Sequence, residues 1–152
     1  MITIRNINQT DTAEITDMMR VFYASPAVLT NGSEEIFRTD IENCIGENPY
    51  LEGFVFTEDE AILGYAMLAK SFSTEYAKPC IWIEDIYIKP EHRGKGIGKL
   101  FFAELEKRFP DSVLKLEVEK ENHGARRMYE RCGHQTVHYT EMKKILTSPE
   151  KE

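Results

Sequence analysis

Two adjacent carboxylates, Glu84 and Asp85, interrupt the apolar run Ile81-Trp82-Ile83 and Ile86-Tyr87-Ile88. Burying a charge is costly without a partner, so the pair is either acid–base machinery or one structural carboxylate beside one at an exposed strand start. Strand alternation puts Trp82, Glu84, Ile86 and Ile88 on one face and Ile83, Asp85 and Tyr87 on the other. The chain continues as Lys89-Pro90-Glu91-His92-Arg93-Gly94-Lys95-Gly96-Ile97-Gly98-Lys99. Three glycines at alternate positions remove the Cβ atoms that would keep a ligand from the backbone, and they permit positive φ. The amides of Gly94 to Lys99 would then be unpaired donors at a helix N-terminus, a site suited to phosphate or pyrophosphate. The dinucleotide pattern GxGxxG and the phosphate loop GxxxxGK[ST] are both absent.

Other reactive side chains carry less. Cys44, Cys80 and Cys132 are odd in number and form no CxxC pair, so no zinc site or disulfide framework is expected. No metal-ligand spacing joins His92 or His123 to other ligands, and no His or acid is placed to activate Cys132. A metal-free site in a reducing, cytoplasmic setting is expected.

These residues need positioning. A β-branched opening gives a first strand over about 2–7. Ile15, Met18, Met19 and Phe22 recur at helical spacing to about Tyr23, and Ser33 starts a second helix that ends at Gly46. Strands over Gly53–Thr57 and Ile62–Ala69 flank the acidic turn Glu58-Asp59-Glu60 as a hairpin. A looser segment, Ser71–Pro79, leads into a central strand, Cys80–Ile88. A helix from about Lys95 stops at Pro110. Val113–Val118 reads as a strand, Asn122–Cys132 as a helix, and Thr136–Tyr139 with Met142–Leu146 as a final strand pair. The order β α α β β β α β α β β implies an α/β class: a central mixed, mostly antiparallel sheet flanked by about four helices. Residues 1–146 are expected to form one domain with a polar tail over 147–152.

Together these segments resemble the GNAT superfamily of N-acetyltransferases. Its central motif, Arg/Gln-x-x-Gly-x-Gly/Ala, is matched by Arg93-Gly94-Lys95-Gly96-Ile97-Gly98. Its second motif, Asn-x-x-Ala-x-x-x-Tyr-x-x-x-Gly-Phe, is met at Asn122, Ala125, Tyr129 and Gly133, with His134 in place of the usual Phe. The resemblance implies acetyl-coenzyme A as co-substrate, with Ile86, Tyr87 and Ile88 pairing their backbone to the pantetheine arm. It implies that Arg93, Gly94, Lys95, Gly96, Ile97, Gly98 and Lys99 hold the pyrophosphate, and that Asn122 and Ala125 lie at the cofactor. It implies Tyr129 as acid toward the coenzyme A sulfur. The Ile83-Glu84-Asp85 segment is similar to the Leu-Glu-Asp of the polyamine (spermidine/spermine) branch, which implies Glu84 as base with Asp85 in reserve.

The net charge of −7 argues against general nucleic-acid affinity, and no apolar run is long enough for a membrane span. Residues 1–78 carry 13 acidic and 5 basic side chains, so the helices expected to build the acceptor site are acidic, at Asp17, Glu34, Glu35, Asp40, Glu42 and Glu47. That favours a cationic primary amine such as a polyamine attacking the thioester directly, although solubility alone gives the same bias. A protein or peptide N-acetyltransferase and a non-catalytic acyl-CoA-binding sensor stay open. A homodimer is implied by resemblance only.

Overall fold

A computed structural model describes residues 1–147 of the chain. Nine elements follow in order: β1 (Thr3–Asn6), α1 (Thr12–Tyr23), α2 (Glu34–Ile45), β2 (Leu51–Glu58), β3 (Ala61–Ser73), β4 (Lys78–Ile88), α3 (Ile97–Arg108), β5 (Val113–Leu116) and α4 (His123–Arg131). The five strands form one sheet in sequence order; β1 to β4 pair antiparallel, and β5 pairs parallel to β4. The parallel step follows from α3, a crossover that returns the chain to the same sheet end. No helix among the described residues is long and apolar enough to cross a membrane.

Each face of the sheet has its own core. On one, Phe54, Phe56, Leu68, Ile81 and Ile83 pack against Ile97, Phe101 and Leu105 of α3 and Tyr129 of α4. On the other, Val55, Tyr65, Met67 and Tyr87 pack against Ile15, Met18 and Met19 of α1 and Phe37 and Ile41 of α2. The helices start where polar caps meet apolar stripes: the Ser33 hydroxyl accepts from Ile36 N–H at 3.1 Å, and Asn122 accepts from Ala125 N–H at 3.4 Å.

The fold class and the first nine elements match the sequence expectation; three details differ. Ser71–Pro79 is no loose segment, because β3 and β4 pair out to Ser73 and Lys78 across a tight turn. The strands expected over Thr136–Tyr139 and Met142–Leu146 do not form: from Gly133 to Thr147 there is no ladder, and Val137, Tyr139, Met142, Ile145 and Leu146 are exposed. Alternating apolar side chains supply strand propensity, but a strand needs an edge to pair with, and the four-residue β5 offers a short one. Of the tail expected at 147–152, residues 148–152 lie outside the described residues.

The third difference shapes the site. Met67 of β3 pairs with Asp85, yet Leu68 pairs with Ile83, so Glu84 is an extra residue with no partner, a β-bulge. The bulge resets the alternation. Ile83 therefore joins Ile86 and Ile88 toward the α3 face, whereas Asp85 and Tyr87 turn toward α1 and α2. Strict alternation had put Ile83 with Asp85; the bulge is why it fails.

Candidate active site

The bulge coincides with the end of the β4–β5 ladder. Pairing stops at Ile83 with Leu116, while β4 runs on to Ile88. Among the described residues no strand lies beside the outer edge of β4 from Glu84 onward, so its backbone donors and acceptors there are open to an extended ligand.

Beyond Ile88, the turn into α3 is shaped by two left-handed glycines, Gly94 at φ 81° and Gly96 at φ 80°. A Cβ built at either would meet no atom within 4 Å, so the concavity above the turn is free. The amides of Gly94 to Lys99 bond to no backbone carbonyl among the described residues, while Leu100 N–H closes the first helical bond to Gly96. Unpaired amides converging on a helix N-terminus suit a pyrophosphate, so these residues fit coenzyme A. Gly98 is buried in the first turn of α3, where a Cβ would lie 3.0 Å from the Met128 methyl of α4. Arg93 braces the turn, donating Nε to the Ile88 carbonyl at 2.9 Å with its guanidinium over the Tyr87 ring. Lys95 and Lys99 are exposed at the mouth.

On the α1–α2 side of the bulge lies a cavity of about 250 Å³, lined by Tyr23, Asp40, Cys44, Leu51, Met67, Ala69, Glu84 and Asp85. A larger and more open groove runs along α1 to Lys89 and Pro90, away from the bulge. Asp85 is 5% exposed and accepts from the Tyr65 hydroxyl at 2.7 Å and the Tyr23 hydroxyl at 3.0 Å. Burial pushes its pKa up against those two bonds, which pull it down. Burial, then the charges of Asp85 and Glu141, push Glu84 up as well. Burial with Asp85 and Glu84 raises Asp40 to about 6. Asp17, Glu34 and Glu42 each have an arginine partner, so of the acids read from the first two helices only Asp40 is turned into the cavity. The sequence counted these acids but could not sort them. Tyr23, at the end of α1, also lines the cavity.

Tyr129 stands on the other face, 9% exposed, edge-on to Phe102 with ring centroids 5.8 Å apart. Burial pushes its hydroxyl up to about 12. Glu84 thus lies on the α1–α2 side of the sheet and Tyr129 in the core of the other face, with Ala125 packed against that core and Asn122 capping the helix of the tyrosine. A carboxylate on one side can accept a proton from an incoming group while a phenol on the other donates to a leaving one.

An open-edged β4, a left-handed glycine turn before α3 and an Asn-capped α4 define an acyltransferase architecture. Residues 4–134 match the model of the Acetyltransferase (GNAT) family. The chain belongs to that family and is an acetyl-coenzyme A-dependent N-acetyltransferase. It is similar to thialysine N-epsilon-acetyltransferase of Bos taurus, 29% identical over 149 residues that span 90% of this chain and 85% of that one. Among solved structures, a possible acetyltransferase from Clostridium difficile 630 superposes with TM-score 0.81 at 19% identity, covering 97% of this chain and 99% of that one. Another, AAC(6')-Iy in complex with the bisubstrate analog CoA-S-monomethyl-acetylneamine, gives TM-score 0.77 at 15% identity, covering 97% and 99%.

Proposed function

We propose that residues 1–146 form one catalytic domain that moves an acetyl group from acetyl-coenzyme A to a small cationic primary amine, with Glu84 as base and Tyr129 as acid. The observation that carries this reading is the cavity in which Asp40, Glu84 and Asp85 meet with no basic side chain in its lining. A lysine-like amine with pKa near 10.4 is cationic at neutral pH, and uncovering its lone pair at pH 7 costs about 4.6 kcal/mol. An acidic cavity draws in the ammonium form; a carboxylate of raised proton affinity then takes the proton. Carbon–nitrogen bond formation at the thioester breaks the carbon–sulfur bond; the sulfur takes a proton from Tyr129, and the second proton that the nitrogen sheds on becoming an amide restores the phenol by way of solvent. No covalent enzyme intermediate is needed. The open edge of Ile86, Tyr87 and Ile88 supports pairing with the pantetheine arm, and the Gly94–Lys99 amides support binding of the pyrophosphate.

The names of the relatives support an amine acceptor: the bovine protein acts on thialysine, a small amine. A homodimer is part of the reading, supported by the exposed Tyr139, Met142, Ile145 and Leu146 of the C-terminal segment. A cytoplasmic location suits three free cysteines. The test is thiol release from acetyl-coenzyme A across a panel of diamines, polyamines, aminoglycosides, thialysine and peptides. Turnover strongest with small cationic amines is expected. Turnover with peptides alone points to a protein acetyltransferase, and tight cofactor binding without any turnover points to a sensor; either sinks the reading.

A further inference from the structure

Asp85 has a part that its neighbour's candidacy as base does not explain. It is a buried carboxylate with no cationic partner among the described residues, held at both oxygens: Oδ2 by Tyr65 of β3 at 2.7 Å, and Oδ1 by Tyr23 at the end of α1 at 3.0 Å. Those tyrosines come from different layers, and aromatic packing holds both. Phe22 meets the rings of Tyr23 and Tyr65 edge-on at 5.5 and 6.5 Å, and Tyr23 also packs on Phe37 of α2. The residue so fixed is the first after the bulge, opposite Met67, and the extra residue is Glu84. A bulge is one of several ways to pair two strands, and register can slip where nothing pins it.

We propose that Asp85 is the positioning residue of the acetyl transfer: clamped by Tyr23 and Tyr65, it locks the bulge in β4 and so holds the Glu84 carboxylate toward the acceptor cavity. The proposal rests on Glu84 being the base. Asp85 is ill placed to be that base itself, because both of its oxygens already accept hydrogen bonds from neighbours inside the protein. It acts through Glu84 in a second way, since its charge lies beside that carboxylate and raises its affinity for the proton taken from the amine. The groups facing Glu84 are Asp85 on its own strand, Asp40 from α2, Tyr23 from α1, Glu117 just past β5 and Glu141 of the C-terminal segment. Four are carboxylates and Tyr23 is a neutral phenol; of the carboxylates, Asp85 is held at both oxygens.

The experiment follows the Glu84 carboxyl by carbon-13 NMR in glutamate-labelled protein, beside the pH–rate profile for the best amine. In Asp85→Asn the Glu84 titration is expected to move to lower pH, because one of the charges that raises it is gone. The acid limb of kcat/KM should move with it, and kcat should fall about tenfold while the KM for acetyl-coenzyme A stays within twofold. Tyr65→Phe keeps the charge and removes one arm of the clamp. Amide hydrogen exchange at Glu84 to Ile86 should then speed up at least tenfold, with the β2 amides unchanged; this variant also answers if Asp85→Asn does not fold. A Glu84 titration that does not move in Asp85→Asn, or unaltered exchange in Tyr65→Phe, overturns the clamp. If the titration and exchange change as expected but the rate limb does not move, the clamp stands and Glu84 is not the base.

Discussion

The His134 ring stands edge-on to Phe102, centroids 5.0 Å apart, with its Nε2 buried and without a hydrogen-bond partner among the described residues. The position sits where the family motif usually carries Phe. Nδ1 lies 3.3 Å from the Tyr129 carbonyl, which the His134 backbone N–H also reaches at 3.0 Å. The side-chain bond is therefore partly redundant, whereas the orphaned nitrogen carries a desolvation cost of about 1–3 kcal/mol. His134→Phe should raise stability by about 1 kcal/mol, read as a higher denaturant midpoint at unchanged m-value. A lower midpoint would show that the Nδ1 bond outweighs the unpaired nitrogen.

Glu84→Gln tests the base. Loss of general-base help should lower kcat/KM by about 10²–10⁴ near pH 7, and by much less near the amine's own pKa, where the amine loses its proton unaided. A pH–rate series on both proteins checks this, and an equal loss at every pH refutes the assignment.

Tyr129→Phe keeps the edge-on contact with Phe102 and removes only the hydroxyl. Turnover should fall with the affinity for coenzyme A unchanged, measured by calorimetry. Collapse of that affinity would make the tyrosine a binding residue.

The contrast between Gly96 and Gly98 shows how far the sequence could be read. Their spacing announced the turn, and the left-handed φ of Gly94 and Gly96 is what a ligand-facing backbone needs. Only three-dimensional packing reveals that Gly98 also makes room for Met128 across the α3–α4 contact. Glu84 and Asp85 were conspicuous for the same reason, as charges in an apolar strand. Their division of labour was not, because one bulged residue changes the phase of everything after it. The late strands misled in the opposite sense: alternation over residues 136–146 is a local signal, and pairing is a tertiary event. Asp40 was one acid of six until the orientation of α2 set it apart.

That orientation has a thermodynamic consequence. Asp40 lies at about 6 in the folded protein against an ordinary 3.8, so the folded state binds more protons than the unfolded state between these values. Stability must then fall as pH rises from about 4 to 6 and stay reduced above that range. The full two-unit shift corresponds to about 3 kcal/mol, and solvent reaching the half-exposed carboxylate screens it to about 1–2 kcal/mol. Asp40→Asn removes the titration. The variant should be more stable than the parent by that amount at pH 7.5 and equal to it below pH 4, checked by urea unfolding at both pH values. It should also bind a diamine such as 1,4-diaminobutane more weakly, because the charge that strains the empty cavity is the charge that recognises an ammonium. A variant that gains no stability at pH 7.5 would show that Asp40 already has a counter-charge in solution. One that gains stability and keeps its full diamine affinity would separate the strain from recognition.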